Sequence, residues 1–176
     1  VTADASSTLG RAADIVLENR GTLIKFIGDG MFVVWGAPMA VDGAPDLALK
    51  SALRIAAALK SLAEEGRIPR LSTRFGIHRG QVIAGNLGSE RRFDYTAVGD
   101  AVNLASRLEQ LNKHFGTTVL VSRAAAEGLR ENFELLPLGA VKVVGKDEAI
   151  EISAAFGSAL APAARESWLA GLAAFR

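Results

Sequence analysis

The chain has 176 residues, of which 49% are apolar and 22% charged, so it can bury the core of one domain and is not a disordered segment. Its 20 basic and 19 acidic residues leave a formal charge of +1, which gives no support to a general role on nucleic acid or on a membrane surface. The absence of cysteine excludes disulfides and thiolate metal sites and fits a reducing, cytoplasmic compartment.

In chain order, Ser6 or Ser7 is expected to cap a helix that runs to about Asn19, with Leu9, Ala12, Ala13 and Val16 on one face. Gly21 ends it. The stretch Lys25-Phe26-Ile27-Gly28-Asp29-Gly30-Met31-Phe32-Val33-Val34-Trp35-Gly36 reads as strand, tight turn, strand. Both strands are apolar on both faces, which predicts a hairpin central in a covered sheet. A helix is expected over 46–65, with Ala52, Ile55, Ala56, Leu59, Leu62 and Ala63 as its stripe and Gly66 as its stop.

Two strand-like runs, 71–78 and 81–85, surround Arg79-Gly80. Residues 85–92 read as a polar loop leading into a run over 93–98. Asp100 begins a helix to about His114, with Ala101, Leu104, Ala105, Leu108 and Leu111 as its core face. A strand follows over 117–121, and Ser122 caps a short helix. Three further strand-like runs occupy 133–136, 141–144 and 149–155. The last stretch, 163–176, reads as a helix carrying Trp168, Leu172 and Phe175.

Helices alternate with hairpins, which predicts an α+β fold: a ferredoxin-like, palm-like sheet with helices packed on it. Such a core normally begins with a strand, and none precedes the first helix here. Residues 1–157 are expected to form the domain, with 158–176 as linker and helix that end it or begin a following module. Residues 1–7 look like neither a start of translation nor a folded start, so the chain reads as a piece of a larger protein. No apolar run is long enough to span a bilayer and no signal peptide is present, so membrane insertion of this stretch is not expected.

Several residue groups could carry chemistry. Asp29 sits at a hairpin tip, where Asp-Gly is good turn chemistry, but a rigidly placed carboxylate also suits a metal ligand or an acid–base group. Lys25 lies in an otherwise apolar strand, which is costly unless its amine reaches a partner or that end of the strand is exposed. Asn103, Arg107, Gln110 and His114 share a helix face separate from the apolar stripe. Such a face is ordinarily solvated, although the five donors of an arginine also suit phosphate. The glycines between strands form neither a P-loop nor a dinucleotide-binding unit. His78 and His114 lack a third ligand at zinc spacing, and no Gly-x-Ser-x-Gly elbow supports a serine nucleophile.

Together these pieces resemble the class III adenylate/guanylate cyclase catalytic domain, in its bacterial branch. The resemblance rests on Lys25-Phe26-Ile27-Gly28-Asp29-Gly30, on Gly76-Ile77-His78-Arg79-Gly80-Gln81-Val82-Ile83-Ala84-Gly85-Asn86-Leu87-Gly88, and on Asp94-Tyr95-Thr96-Ala97-Val98-Gly99-Asp100-Ala101-Val102-Asn103-Leu104-Ala105-Ser106-Arg107-Leu108. It covers about residues 8–156, and the last block is highly specific.

The resemblance implies a nucleotide cyclase fold that converts ATP to cyclic AMP and pyrophosphate with two divalent metals, Mg²⁺ or Mn²⁺. It implies that Asp29 is one of two metal aspartates. Lys25 and Thr96 fall where the purine is read, and lysine with threonine there goes with adenine, whereas guanylyl cyclases typically carry glutamate and cysteine. Phe26 and Gly28 join them as nucleotide-binding positions. Asn103 is implied to orient the ribose and Arg107 to stabilise triphosphate charge during cyclisation. The family's sites lie between two catalytic domains, which implies a homodimer. The catalytic domain is expected to be attached to sensor or repeat modules, in the cytoplasm or as the cytoplasmic part of a membrane-anchored protein.

Two departures stand out. The family's opening strand, with the other metal aspartate, is absent, and Asp4 has no apolar strand around it; the motif is expected upstream. The family often has Val-Lys-Gly-Lys near its end, where this chain has Val143-Val144-Gly145-Lys146, and Lys142 is the nearest candidate for the missing phosphate contact. Alternatives are a catalytically incomplete module that binds nucleotide or a partner catalytic domain, and a guanylate cyclase. A diguanylate cyclase would carry Gly-Gly-Asp/Glu-Glu-Phe at the hairpin, which Ile27-Gly28-Asp29-Gly30-Met31 does not match.

Overall fold

Short apolar strands, read residue by residue, set the two faces of the main sheet. The computed structural model describes residues 2–89, 92–142 and 148–174. The elements are α1 (Thr2–Glu18), β1 (Thr22–Ile27), β2 (Gly30–Val34), α2 (Ala44–Glu64), β3 (Phe75–Ile77), β4 (Ile83–Ser89), β5 (Arg92–Val98), α3 (Asp100–Phe115), β6 (Val119–Ser122), α4 (Arg123–Ala126), β7 (Glu134–Val141), β8 (Ile150–Phe156) and α5 (Pro162–Ala174). Strands β3, β6, β8 and β7 form one sheet in that order, and β1–β2 and β4–β5 are separate antiparallel ribbons. The class is α+β.

Every residue of β6 is buried, so both faces of the sheet are covered. Leu120 points with Leu136, Leu138, Ile152 and Ala154 toward Leu104 and Leu108 of α3. Val119 and Val121 point the other way, with Ala155, onto Leu49 and Ala52 of α2 and Ala125 of α4. A third cluster joins α1 (Ala12, Ile15, Val16) to α2 (Ile55, Leu59), with Met31 and Val33 of β2 and Trp35 just after it packed against it. The indole N–H of Trp35 donates to the Asn19 carbonyl oxygen at 2.9 Å, which ties the hairpin to the end of α1.

The terminal helix α5 rests on the α3 side of the sheet. Trp168 meets Phe156 edge-on at 5.9 Å between ring centroids, and Leu172 packs against the same cluster. An Arg165–Glu134 ion pair at 3.6 Å, exposed at the arginine and half-buried at the glutamate, joins α5 to β7.

Five local expectations are corrected. Helix α1 begins at Thr2, so Ser6 and Ser7 lie inside it; Ala3 and Ala5 are strong helix formers and extend it. The β1–β2 hairpin is not central in a covered sheet. It pairs only with itself among the described residues, and Lys25, Phe26 and Ile27 are exposed. An apolar run does not say what covers it, and among the described residues nothing covers that end. The 71–78 run is a strand only over β3. Within the expected 85–92 loop, residues 85–89 and 92 are strand: β4 and β5 pair from Ile83↔Val98 to Ser89↔Arg92, because backbone pairing does not require apolar side chains, and residues 90 and 91 lie outside the described residues. The runs at 133–136 and 141–144 form one strand, β7, through a register shift between Pro137 and Gly139. β7 is a sheet edge, where proline is tolerated. Residues 143 and 144 lie outside the described residues.

Candidate active site

Asp29 is placed by turn geometry. The pairing Ile27↔Gly30 leaves Gly28-Asp29 as a two-residue loop, and Gly28 takes φ +60°, as the first position of a tight hairpin turn requires. The carboxylate is exposed and, among the described residues, has no hydrogen-bond or ion-pair partner. Lys25 and Phe26 follow one another in β1, so they point to opposite faces of the ribbon. Lys25 is exposed and likewise without a partner among the described residues, so the expected cost of a buried lysine does not arise.

Thr96 lies in β5 opposite Gly85 of β4 and is half-buried. β5 lies near β1 and leads directly into α3, so the elements that carry Lys25, Thr96 and the α3 residues adjoin. Gly99 links β5 to α3. Its φ of +147° favours glycine, and it lets α3 begin directly after the strand.

On α3, Asn103 is exposed and Arg107 is half-buried one turn later. The Arg107 Nη1 atom is fully buried, with no hydrogen-bond partner among the described residues. A buried guanidinium nitrogen without an acceptor is costly, which marks it as a group that gains when an anionic oxygen arrives. Gln110 and His114 are exposed on the same helix. Lys142 is exposed just beyond β7, the sheet edge furthest from β3. His78 is accounted for structurally: its Nδ1 lies 2.8 Å from the Ser122 hydroxyl, which also caps α4 by accepting from the Ala125 N–H.

Among the described residues, no group of three His, Asp or Glu side chains converges as a metal site. A hard divalent cation shared between protein and phosphate takes at least one or two carboxylates per ion. Asp29 supplies one, so the residues present do not by themselves make a two-metal centre.

Two features of the site were missed in the sequence. Asn112 is fully buried in α3, and Gly76 permits an unusually close approach of β3 to α3. Asn112 falls four residues after Leu108, on the apolar stripe, and a polar residue at that spacing was the available signal.

Residues 8–153 match the family described as the adenylate and guanylate cyclase catalytic domain. Adenylate cyclase 1 of Rhizobium meliloti (strain 1021) is 38% identical over 143 residues, covering 80% of this chain and 22% of that protein. This chain therefore spans about a fifth of that relative. The adenylyl cyclase CyaB from P. aeruginosa superposes with a TM-score of 0.79 at 26% identity, covering 90% of this chain and 83% of that one. The guanylyl cyclase Cya2 superposes with a TM-score of 0.78 at 25% identity over the same shares. The fold is that of a nucleotide cyclase domain.

Proposed function

The chain belongs to the adenylate and guanylate cyclase catalytic domain family, and from that premise we propose that it is an adenylate cyclase, converting ATP to 3′,5′-cyclic AMP and pyrophosphate. The observation that carries the choice of ATP is the purine-reading pair: Lys25, exposed and unpartnered among the described residues, stands on a strand that adjoins the strand of Thr96. Phe26 and Gly28 complete the nucleotide-binding positions of the hairpin.

In the reaction the ribose 3′-oxygen attacks the α-phosphorus. The new O–P bond forms as the bond to the bridging oxygen breaks, pyrophosphate leaves with the electron pair, and the hydroxyl proton is released. Arg107 serves the charge that builds on the phosphoryl oxygens, where an arginine whose buried donor has no acceptor among the described residues is effective. Asn103, one turn earlier, orients the ribose. Lys142 is assigned to the triphosphate. The family's divalent metals, Mg²⁺ or Mn²⁺, would supply Lewis-acid charge. Asp29 is proposed as one ligand, and the completing carboxylate is proposed to come from upstream sequence.

Active sites are proposed to form between two copies of the domain. Phe26 (50% exposed), Ile27 (60%), Ile83 (70%) and Val98 (44%) expose apolar surface on β1, β4 and β5, of which β1 and β5 also carry the proposed purine readers. Residues 1–157 are taken as the catalytic domain and 158–176 as linker and helix, within a larger signalling protein whose catalytic part lies in the cytoplasm. Among the described residues no helix is long and apolar enough to cross a membrane.

A substitution pair tests the base choice. Lys25→Glu with Thr96→Cys is expected to shift the ratio of cyclic GMP to cyclic AMP formed from equal ATP and GTP by about tenfold or more toward cyclic GMP, since a site built to hydrogen-bond one base leaves its groups unpaired on another. An unchanged ratio contradicts the assignment. The second reading, a catalytically incomplete module that binds nucleotide or a partner catalytic domain, is favoured by the single carboxylate at the hairpin tip.

A further inference from the structure

Arg107 can act only if α3 stands at a fixed height over the sheet, and two contacts set that height. At the first, β3 runs so close beneath α3 that a Cβ on Gly76 would lie 2.1 Å from the Ala105 carbonyl oxygen and 2.3 Å from the Glu109 nitrogen. At the second, the fully buried Asn112 side chain reaches from α3 to the strand. Its Nδ2 donates to the Phe75 carbonyl oxygen at 2.9 Å and to the Leu108 and Glu109 carbonyl oxygens at 3.1 Å each. Its Oδ1 accepts from the Thr117 hydroxyl at 2.8 Å, beyond the helix end. The strand is fixed in turn, because the Phe75 N–H donates to the Thr118 carbonyl oxygen at 2.8 Å. Arg107 lies within the clamped span of α3, and Asn103 lies one turn before Arg107.

We propose that Asn112, held by Thr117, is a positioning residue for cyclisation: it sets the place of Arg107 and Asn103 through α3 without touching substrate. This rests on the cyclase reading given above. A buried, fully satisfied polar network fixes one arrangement where an apolar contact would tolerate several. The proposed purine readers lie elsewhere, on β1 and β5, so loosening α3 affects turnover and spares base binding. A small misplacement of a charge-stabilising group is expensive in rate.

Asn112→Ala leaves the Phe75 carbonyl oxygen without its side-chain donor and can unfold the domain, so the deciding variants are at Thr117. In the full-length chain, Thr117→Val removes the hydroxyl while keeping the shape, and Thr117→Ser keeps the hydroxyl. Thr117→Val is expected to lower kcat about five- to tenfold with KM for ATP within twofold, and Thr117→Ser to restore kcat. Wild-type kcat in a folded Thr117→Val protein overturns the proposal, as does a loss confined to KM. Amide exchange decides the matter independently of turnover. Thr117→Val is expected to speed exchange over residues 105–112 about tenfold while α1 and α2 stay unchanged, and unchanged exchange there overturns the clamp. A wild-type chain with no turnover but a clamp that loosens in this way counts against the cyclase reading alone.

Discussion

Gly76→Ala is expected to destabilise the domain by at least about 3 kcal/mol, at or beyond the upper end of ordinary overpacking. The cause is contact and not backbone conformation. A methyl group at this position meets the backbone of α3 at Ala105 and Glu109, and neither atom belongs to a side chain that can swing aside. Relief requires β3 and α3 to separate, which breaks the Asn112 hydrogen bond to Phe75 and opens the cluster around Leu104, Leu108 and Leu120. Domains of this size hold only about 5–15 kcal/mol of stability, so a loss of this order leaves a substantial unfolded fraction on mild heating or in dilute urea. Urea unfolding monitored by circular dichroism measures it. A midpoint equal to that of the parent would show that the close approach of β3 and α3 is relaxed in solution.

Arg107→Ala is expected to lower kcat by roughly 10²-fold, the usual loss when one preorganised donor to a transition-state oxyanion is removed. Its partly buried guanidinium has one nitrogen with no acceptor among the described residues, so its free donor is available to phosphoryl oxygen. Arg107→Lys is expected to recover little, because a point charge on a flexible stem does not reproduce the planar fork. Steady-state kinetics with ATP separates the alternatives. A fall in kcat with KM near the parent value supports charge stabilisation during cyclisation, whereas a rise in KM with kcat unchanged would make Arg107 a ground-state binding residue.

Helices α2 and α3 were readable almost residue for residue. Asp100 marks the start of α3, whereas α2 begins two residues before the expected Asp46, at Ala44; leucine and alanine stripes mark their buried faces, and Gly66 follows α2 in the left-handed conformation. The Gly28-Asp29 turn was readable for the same reason, since two-residue hairpin loops demand particular residues. The environment of that hairpin was not. An apolar run from Leu23 to Trp35 looks the same whether it faces a core or another molecule, and only the structure shows Phe26 and Ile27 exposed.

Composition misled at β4–β5, where Gly, Asn and Ser resemble a loop but backbone pairing continues to Ser89↔Arg92. It misled again at Pro137, which a sheet edge with a register shift accommodates. At the candidate site, Lys25, Asp29, Thr96, Asn103 and Arg107 were legible only through their motifs. Of the clamp at Gly76 and Asn112, only the polar Asn112 on the apolar stripe of α3 gave a signal, because the rest depends on a strand and a helix meeting at one particular distance.

Cyclic nucleotide formation from ATP and from GTP with Mn²⁺ reads the proposed cyclisation itself. The 176-residue chain should be compared with a form extended upstream by a strand and a helix. Cyclic AMP from ATP is expected in the extended form, with little cyclic GMP from GTP. Preferential conversion of GTP, or nucleotide binding without turnover in either form, would contradict the adenylate cyclase reading.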